Sequence, residues 1–549
     1  MKYLPRFFMA LWLGLTWHIG SATNYYVDAT GGNDANNGTA KLNAWRTLAN
    51  INATTFQPGD SILFKAGQFW IGTIKPLGSG TAGSPIVIGK YGAGARPAIH
   101  GNGSVNCTVE PGQTKYCTIF LHNQEYWIIR DLEITNYDSR EEEGKSLSQW
   151  ELDNRSDYAN VDKPDKYAGT NTKKCGILVE ANNSGALHHL HFINLEVHGV
   201  NGKISEKNNG GIFLKVFNFN PGDIATYFDD LLLDSCYIHD VDRTGFSNRS
   251  DYEHRTLMTN TDWTPSKKIV IRNNTFERTG ANALIVRVAD KPLMEHNLFD
   301  HCSIKETGNA AFNFNTDSAV WQFNEARYTK YNVGDVDAGG LDSDYRTRYT
   351  IMQYNYVHDN DFGILITGGP SSSNGFNHGT VVRYNIFEND GILKVSGDGA
   401  WSFKISGLAT NTRIHNNVIY IGPSKEYTAI VYHKNWGGWP DRSFYKNNIF
   451  YNKGTNTAFN LGSSTGNVFS NNIYYGNSYT KEPSDPNKIN SDPLLTNPGN
   501  GENGYQLQGG SPALTKGLQL LTNPEKDYYQ NTIDSKAPVD IGVHQVSNR

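Results

Sequence analysis

Cysteine is scarce. The 549 residues hold five, Cys107, Cys117, Cys175, Cys236 and Cys302. Their spacing matches no zinc-ligand pattern, so no cysteine metal centre is expected. Cys107 and Cys117 bracket the short stretch CTVEPGQTKYC and can pair in an oxidising compartment. The other three sit in apolar, strand-like contexts and read as core fillers. Charge is also sparse: 19% of residues are Asp, Glu, Lys or Arg, with a formal net charge of −5. No global basic field recruits nucleic acid. The P-loop, G-x-S-x-G, H-E-x-x-H and EF-hand patterns are all missing, so the chemistries that depend on them are not expected.

Long apolar runs are missing too, save one at the start. MKYLPRFFMALWLGLTWHIGSA carries Lys2 and Arg6, an apolar stretch from Phe7 to Trp17, and small residues Gly20 and Ala22. This is the layout of an export signal, and the run is too short for a membrane anchor. The expectation is a signal peptide over 1–22, a single domain over 23–549, and a secreted or periplasmic monomer free of the membrane after cleavage.

What is abundant is glycine, tyrosine and phenylalanine: 55, 30 and 25 residues. That suits a turn-rich all-β chain. A repeat runs through it. IVIRNNTFERTGANALIV, PLMEHNLFDHC, TIMQYNYVHDNDFGILI, VVRYNIFENDGILKV, TRIHNNVIYIG, SFYKNNIFYN and NVFSNNIYYGN each alternate apolar residues, then place an asparagine, then another apolar pair. Asn274, Asn297, Asn324, Asn355, Asn385, Asn417, Asn448 and Asn472 mark the register, 23 to 32 residues apart. Such periods mean a solenoid, and the β-branched and aromatic content means a β-solenoid. Asparagine tolerates left-handed backbone geometry, and its amide can bond along the stack.

The chain resembles the right-handed parallel β-helix proteins of the pectate-lyase-like superfamily, found among secreted bacterial carbohydrate-active enzymes. YYVDATGGNDANNGT, FQPGDSILFKAGQFWIGTI and GSPIVIGKYGAGARPAIHGNG look like that superfamily's entry segment. INSDPLLTNPGNGENGYQLQGGSPALTKG with DIGVHQ looks like its exit. GLDSDYRTRYTIMQYNYVHDNDFGILI with VVRYNIFENDG resembles a branch that includes β-helical glycoside hydrolases. The resemblance implies the fold, an N-terminal cap and a C-terminal closing segment. It leaves the reaction open, because the fold hosts hydrolases, lyases, epimerases and binding proteins.

Two polar stretches interrupt the repeat, residues 138–174 and 247–267. Insertions in solenoids become loops on one face, so both are expected to wall a groove, with Trp150, Tyr252 and Trp263 offering ring surfaces to sugars.

From residue 176 onward a second pattern appears. GILVE, GIFLK, GFSNR, ALIVR, AFNFN, GLDSD and GILIT each begin with a small residue. Aligned there, alternation sends Ile177, Ile212, Leu284, Phe312, Leu341 and Ile364 inward at the second position. One outward column then reads Glu180, Lys215, Arg249, Arg287, Asn315, Asp344, Thr367. The other reads Leu178, Phe213, Ser247, Ile285, Asn313, Asp342, Leu365. The GFSNR row sends polar Asn248 inward. Asp342 and Asp344 thus face out one strand step apart, and each should raise the other's pKa. Three readings fit such a pair: an acid with a nucleophile or base for glycoside hydrolysis, a calcium site, or solvated surface carboxylates.

Asp361, in the turn one coil later, is a third candidate for the chemistry. Arg287, Lys215, Asn315, Glu180, His358, Lys394 and Trp401 are candidates for substrate contact, with Lys404 beside them. Asp335, Asp337 and His378 read as turn or structural groups. The expected activity is cleavage of a polysaccharide or oligosaccharide by hydrolysis at Asp342 and Asp344. A lyase acting on a uronic-acid polymer with Lys215 or Arg287 as base is the alternative, and a non-catalytic glycan-binding solenoid a third. No resident metal is expected, though calcium is compatible with the pair.

Overall fold

The computed structural model describes residues 22–137, 172–218, 220–331, 337–391, 400–424, 427–534 and 536–546. Residues 1–21, nearly all of the expected signal peptide, most of the first insertion with Trp150, Asp335 and Lys394 lie outside the described residues.

The chain winds into a parallel β-helix. Short strands stack in three columns, one per side of the coil. The first column includes Lys174–Ala181, Gly210–Val216, Thr244–Ser250, Leu284–Asp290, Ala311–Asp317, Leu341–Ser343, Ile364–Thr367 and Phe403–Ser406. The second includes Ala186–Ile193, Tyr227–Asp234 and Ser266–Arg272 and continues to Val468–Ser470. The third is a separate 13-stranded sheet ending at Ile473–Gly476. Successive coils pair in parallel, as Ile212 with Ile177 and Phe246, or Val357 with Ala326 and Phe387. Among the described strands, only the small hairpin of Glu253–His254 with Asp262–Trp263 is antiparallel.

Alternation explains the interior. Ile177, Ile212, Phe246, Leu284, Leu341, Ile364 and Phe403 are all buried in one continuous core. Each such side chain contributes roughly 1.5–3 kcal/mol by leaving water. No single coil could enclose them, but the stack does. Cys107 and Cys117 are disulfide-bonded, and Cys175, Cys236 and Cys302 are buried thiols.

The asparagines form a ladder in the expected register. Asn297 donates from Nδ2 to Asn324 Oδ1 at 3.0 Å and to the Ile271 carbonyl at 2.9 Å, while its backbone N–H also reaches Asn324 Oδ1 at 3.0 Å. The pattern repeats from Asn274 through Asn355, Asn385, Asn417 and Asn448. It ends where Asn472 donates to Asp485 Oδ2 at 2.8 Å. The left-handed geometry, however, does not belong to these asparagines. It belongs to the residue before each: His296 (φ 54°), Phe323 (φ 55°), Tyr354 (φ 57°) and Tyr384 (φ 51°) among them. A bulky residue there costs on the order of 1 kcal/mol or more. The turn directs the next amide inward, where it meets four hydrogen-bonding groups, and it stacks the turn rings outside, His296 on Phe323 and Phe323 on Tyr354 at 4.9 Å each.

Asn355→Ala should therefore be costly. It removes the acceptor of both the Asn324 N–H and the Asn324 Nδ2, and the donor to the Trp321 carbonyl, all buried. The expected loss is about 3 kcal/mol, read as a lower thermal midpoint and urea midpoint with an unchanged circular dichroism spectrum.

Candidate active site

The outward face of the first column carries a pocket of about 640 Å³. Leu341 is buried in the core, so Asp342 faces out, and Asp344 follows it on the same face. Ring walls come from Phe312, Phe314, Tyr345 and Trp436; charge comes from Asp337, Asp342, Asp344, Glu253, Lys207, Arg249, Arg287, Lys404 and Lys434.

One coil departs from the sequence alignment. Leu284 pairs with Ala311, not Phe312, and Arg287 pairs with Phe314. The small residue of that row is Ala310, so the row reads AAFNF rather than AFNFN. The slip of one residue exchanges the faces. Phe312 and Phe314 point out and line the pocket, while Asn313 points in. There Asn313 is fully buried and satisfied, with Trp321 Nε1 donating to it at 2.8 Å and its own amide reaching Thr316 Oγ1 at 2.8 Å. Two consecutive alanines made either alignment sterically acceptable, and a phenylalanine pair looked like core. The other polar inward residue, Asn248, is explained by the next coil: it accepts from the Arg287 N–H at 2.7 Å and donates to the Arg287 carbonyl at 2.6 Å.

The remaining candidates divide. Arg287 and Lys404 line the pocket with the two aspartates. Asn315 does not; its turn has φ 57° and its amide donates to the Glu253 carbonyl at 2.7 Å, fastening the hairpin that brings Glu253 to the pocket. Glu180 is fully buried, engaged by Thr108 Oγ1 (2.5 Å), Val109 N–H (2.8 Å) and Lys115 (3.3 Å), so it anchors the disulfide loop. Lys215 is bound to Asp251 and lies outside the pocket lining. Asp361 is buried in its turn, accepting the Tyr331 N–H at 2.7 Å with Lys330 at 3.6 Å. His358 sits on the third column between Glu325 and Asp359, and those two hydrogen bonds overcome burial to lift its pKa to about 9. Trp401 is fully buried, stacked on Phe362 at 4.8 Å beneath the Lys404 ammonium, so it supports the floor and offers no surface. Tyr252 is buried, and the Trp263 ring is covered by the Arg255 guanidinium at 4.1 Å. The second insertion thus reaches the pocket through Arg249 and Glu253 and not through its rings.

Asp337, read from sequence as a turn residue, joins the pocket. Lys207, Phe314, Tyr345, Trp436 and Lys434 were not singled out by sequence. The column pattern contained the signal for Phe314, had the row been started at Ala310. Lys207 and Trp436 come from loops and left none.

The electrostatics follow from crowding. Asp342 accepts a hydrogen bond from Asn309 Nδ2 at 3.0 Å, and its other oxygen has no hydrogen-bond partner among the described residues. Burial, then the charges of Asp344 and Asp337, push its pKa well above the ordinary carboxylate value. Asp344 is raised to about 7, by burial first and by Asp337, against the N–H of Tyr345 (2.8 Å) and the charge of Lys207. Arg287 is lowered to about 10 by burial and the neighbouring Arg249. At neutral pH the carboxyl pair therefore retains a proton, the condition for one member to donate and the other to act as base or nucleophile.

No protein-family model matches the chain. In sequence it is similar to a lacto-N-biosidase of Bifidobacterium longum subsp. longum, with 27% identity over 534 residues, covering 86% of this chain and 32% of that protein. The chain thus spans about a third of the length of this curated relative. Among solved structures it is similar to the GH136 lacto-N-biosidase of Eubacterium ramulus, with a TM-score of 0.52 and 22% identity, covering 72% of this chain and 64% of that one. XylC, solved with xylose, gives the same TM-score at 13% identity over 95% and 98% of the two chains. The parallel β-helix is shared with both.

The raised carboxyls carry a stability signature. A group whose pKa is higher folded than unfolded stabilises at low pH, and this contribution is lost as pH rises through the folded value. For Asp344 the loss runs from about pH 4 to beyond 7. Asp342→Asn and Asp344→Asn mimic the protonated form, so each should match the wild type near pH 4 and melt at a higher temperature than it by pH 8. Differential scanning fluorimetry across pH 4–8 reads this. A wild-type midpoint that stays parallel to both variants would show that the two carboxyls are not strained.

Proposed function

We propose that the chain is a glycoside hydrolase that cleaves oligosaccharides, with Asp342 and Asp344 as its acid and nucleophile or base. The observation that carries this reading is the proton-retaining carboxyl pair on and just after a rigid strand, set in a pocket walled by phenylalanine, tyrosine and tryptophan. Aromatic faces suit the apolar faces of sugar rings, and a carboxylic acid still protonated at pH 7 can protonate a glycosidic oxygen. Asp337 tunes the pair by its charge. The relationship to a lacto-N-biosidase supports a substrate carrying a terminal lacto-N-biose unit, released as a disaccharide. The signal segment supports a place outside the cytoplasm.

The lyase alternative loses one of its bases, since Lys215 is occupied by Asp251. It retains Arg287, buried at the pocket wall with its pKa near 10. A glycan-binding solenoid without catalysis has no need of strained acids.

The test is turnover on lacto-N-biose-terminated oligosaccharides and on a uronic-acid polymer, following new reducing ends and ultraviolet absorbance together. Reducing ends without absorbance are expected on the first substrate. Asp342→Asn and Asp344→Asn should each lower turnover at least about a hundredfold while remaining folded, with a double variant little worse than either. Absorbance from an unsaturated product, or near-full activity in both folded variants, would overturn the reading.

A further inference from the structure

A second group of ionisable side chains lies on the second column, among coils preceding the pocket. The strands Ala186–Ile193 and Tyr227–Asp234 pair as His188 with Asp229 and then Leu190 with Leu231. His189 and Asp230 are skipped. Each takes left-handed geometry, φ 55° and 69°, at the same position of successive coils. The same position is left-handed in the flanking coils, at Tyr126 (φ 57°) and Lys268 (φ 51°). The left-handed residue breaks the strict in–out alternation without shifting the register between coils, so Leu187 and Leu190 both stay in the core while His189 and His191 stand together outside.

The two imidazoles approach to 3.7 Å between centroids. Each presents one nitrogen to a different oxygen of one carboxylate: His189 Nδ1 to Asp230 Oδ2 at 2.7 Å, His191 Nε2 to Asp230 Oδ1 at 3.0 Å. All three ligating atoms lie within 4.8 Å of one another. None contributes to the pocket around Asp342. We propose that His189, His191 and Asp230 form a binding site for a borderline-soft divalent cation of the zinc class, which clips two successive coils together.

The donor set decides the class of ion. Two imidazole nitrogens and one carboxylate suit zinc and its neighbours, whereas calcium and magnesium take oxygen donors. Zinc bonds of about 2.0–2.2 Å in a tetrahedron set ligand atoms roughly 3.3 Å apart. The three donor atoms, one from each residue and all within 4.8 Å of one another, reach that spacing by small side-chain adjustments, with the ring protons moved to the outward nitrogens. The fourth position is left for water. Lys268, at the same position one coil on, is directed to Asp229 at 3.1 Å. A plain hydrogen-bonded triad is the competing account, and it predicts no metal affinity.

The experiment uses the full chain, stripped with a chelator and dialysed against zinc chloride. One zinc per chain at micromolar free zinc is expected by elemental analysis, with a thermal midpoint at least about 2 °C higher than the stripped protein. Cobalt(II) substitution of the wild type should give the intense visible bands of a four-coordinate ion, a readout independent of any variant's folding. His191→Ala and the isosteric Asp230→Asn should lose the bound metal at least tenfold, while His254→Ala, at an exposed histidine elsewhere, should not. Absence of binding to the wild type overturns the proposal. So does binding that survives both His191→Ala and Asp230→Asn.

Discussion

The register of the coils is the constraint on which the rest depends. In a strand stack, a displacement of one residue sends every side chain of that coil to the other face. The buried amide ladder from Asn274 to Asn472 resists this displacement at the corner. Each amide must meet the next coil's oxygen and the previous coil's carbonyl at once, and a slipped coil would leave several of these groups unpaired in the core. The left-handed turn before each asparagine is the cost of aiming the amide inward. It falls on bulky residues such as Phe323 and Tyr354, and their mutual stacking offsets part of it.

Fixed register makes the strained carboxyls possible. Asp342 belongs to the three-residue strand Leu341–Ser343, whose Leu341 is locked in the core and whose neighbours Ala311 and Leu365 are paired on either side, and Asp344 follows directly, its N–H held by the Asn313 carbonyl at 2.9 Å. A flexible loop would relieve their repulsion by moving apart or turning to water. The sheet cannot, so the repulsion and the burial appear as raised pKa values instead. Lys207 and Arg287 limit how far Asp344 rises, which leaves its value near 7 and not beyond reach of the solvent.

The fold and the position of Asp342 were legible in the sequence for the same reason: both are periodic. The asparagine repeat fixed the coils, and the small-residue rows fixed which face each strand shows. Legibility failed where periodicity is locally degenerate or absent. The Ala310–Ala311 pair allows two alignments, and volume alone does not separate them; only the buried partners of Asn313 do. Glu180 and Lys215 sit correctly on the outward column, yet an outward side chain is not a free one. Loop residues Thr108 and Val109 cover the first, and Asp251 captures the second. Lys207 and Trp436 reach the pocket from loops whose course no alternation pattern encodes.

The column also explains why the chemistry would sit at this coil and not at another. Along the outward face the residues change from engaged charges at Glu180 and Lys215, through Arg249 and Arg287, to phenylalanine rings at 312 and 314, then to the aspartates. The rings exclude water from one side of the carboxyls while the arginines approach from beyond them. An acid flanked by cations alone would ionise; an acid flanked by rings alone would stay neutral to high pH. Asp344 has both kinds of neighbour, and the balance leaves it half-titrated near neutrality. The Phe312 and Phe314 rings therefore bear on the site in two ways, as dielectric for the acids and, in the proposed function, as surface for a sugar. Both follow from a single choice of register in the coil before Asp342.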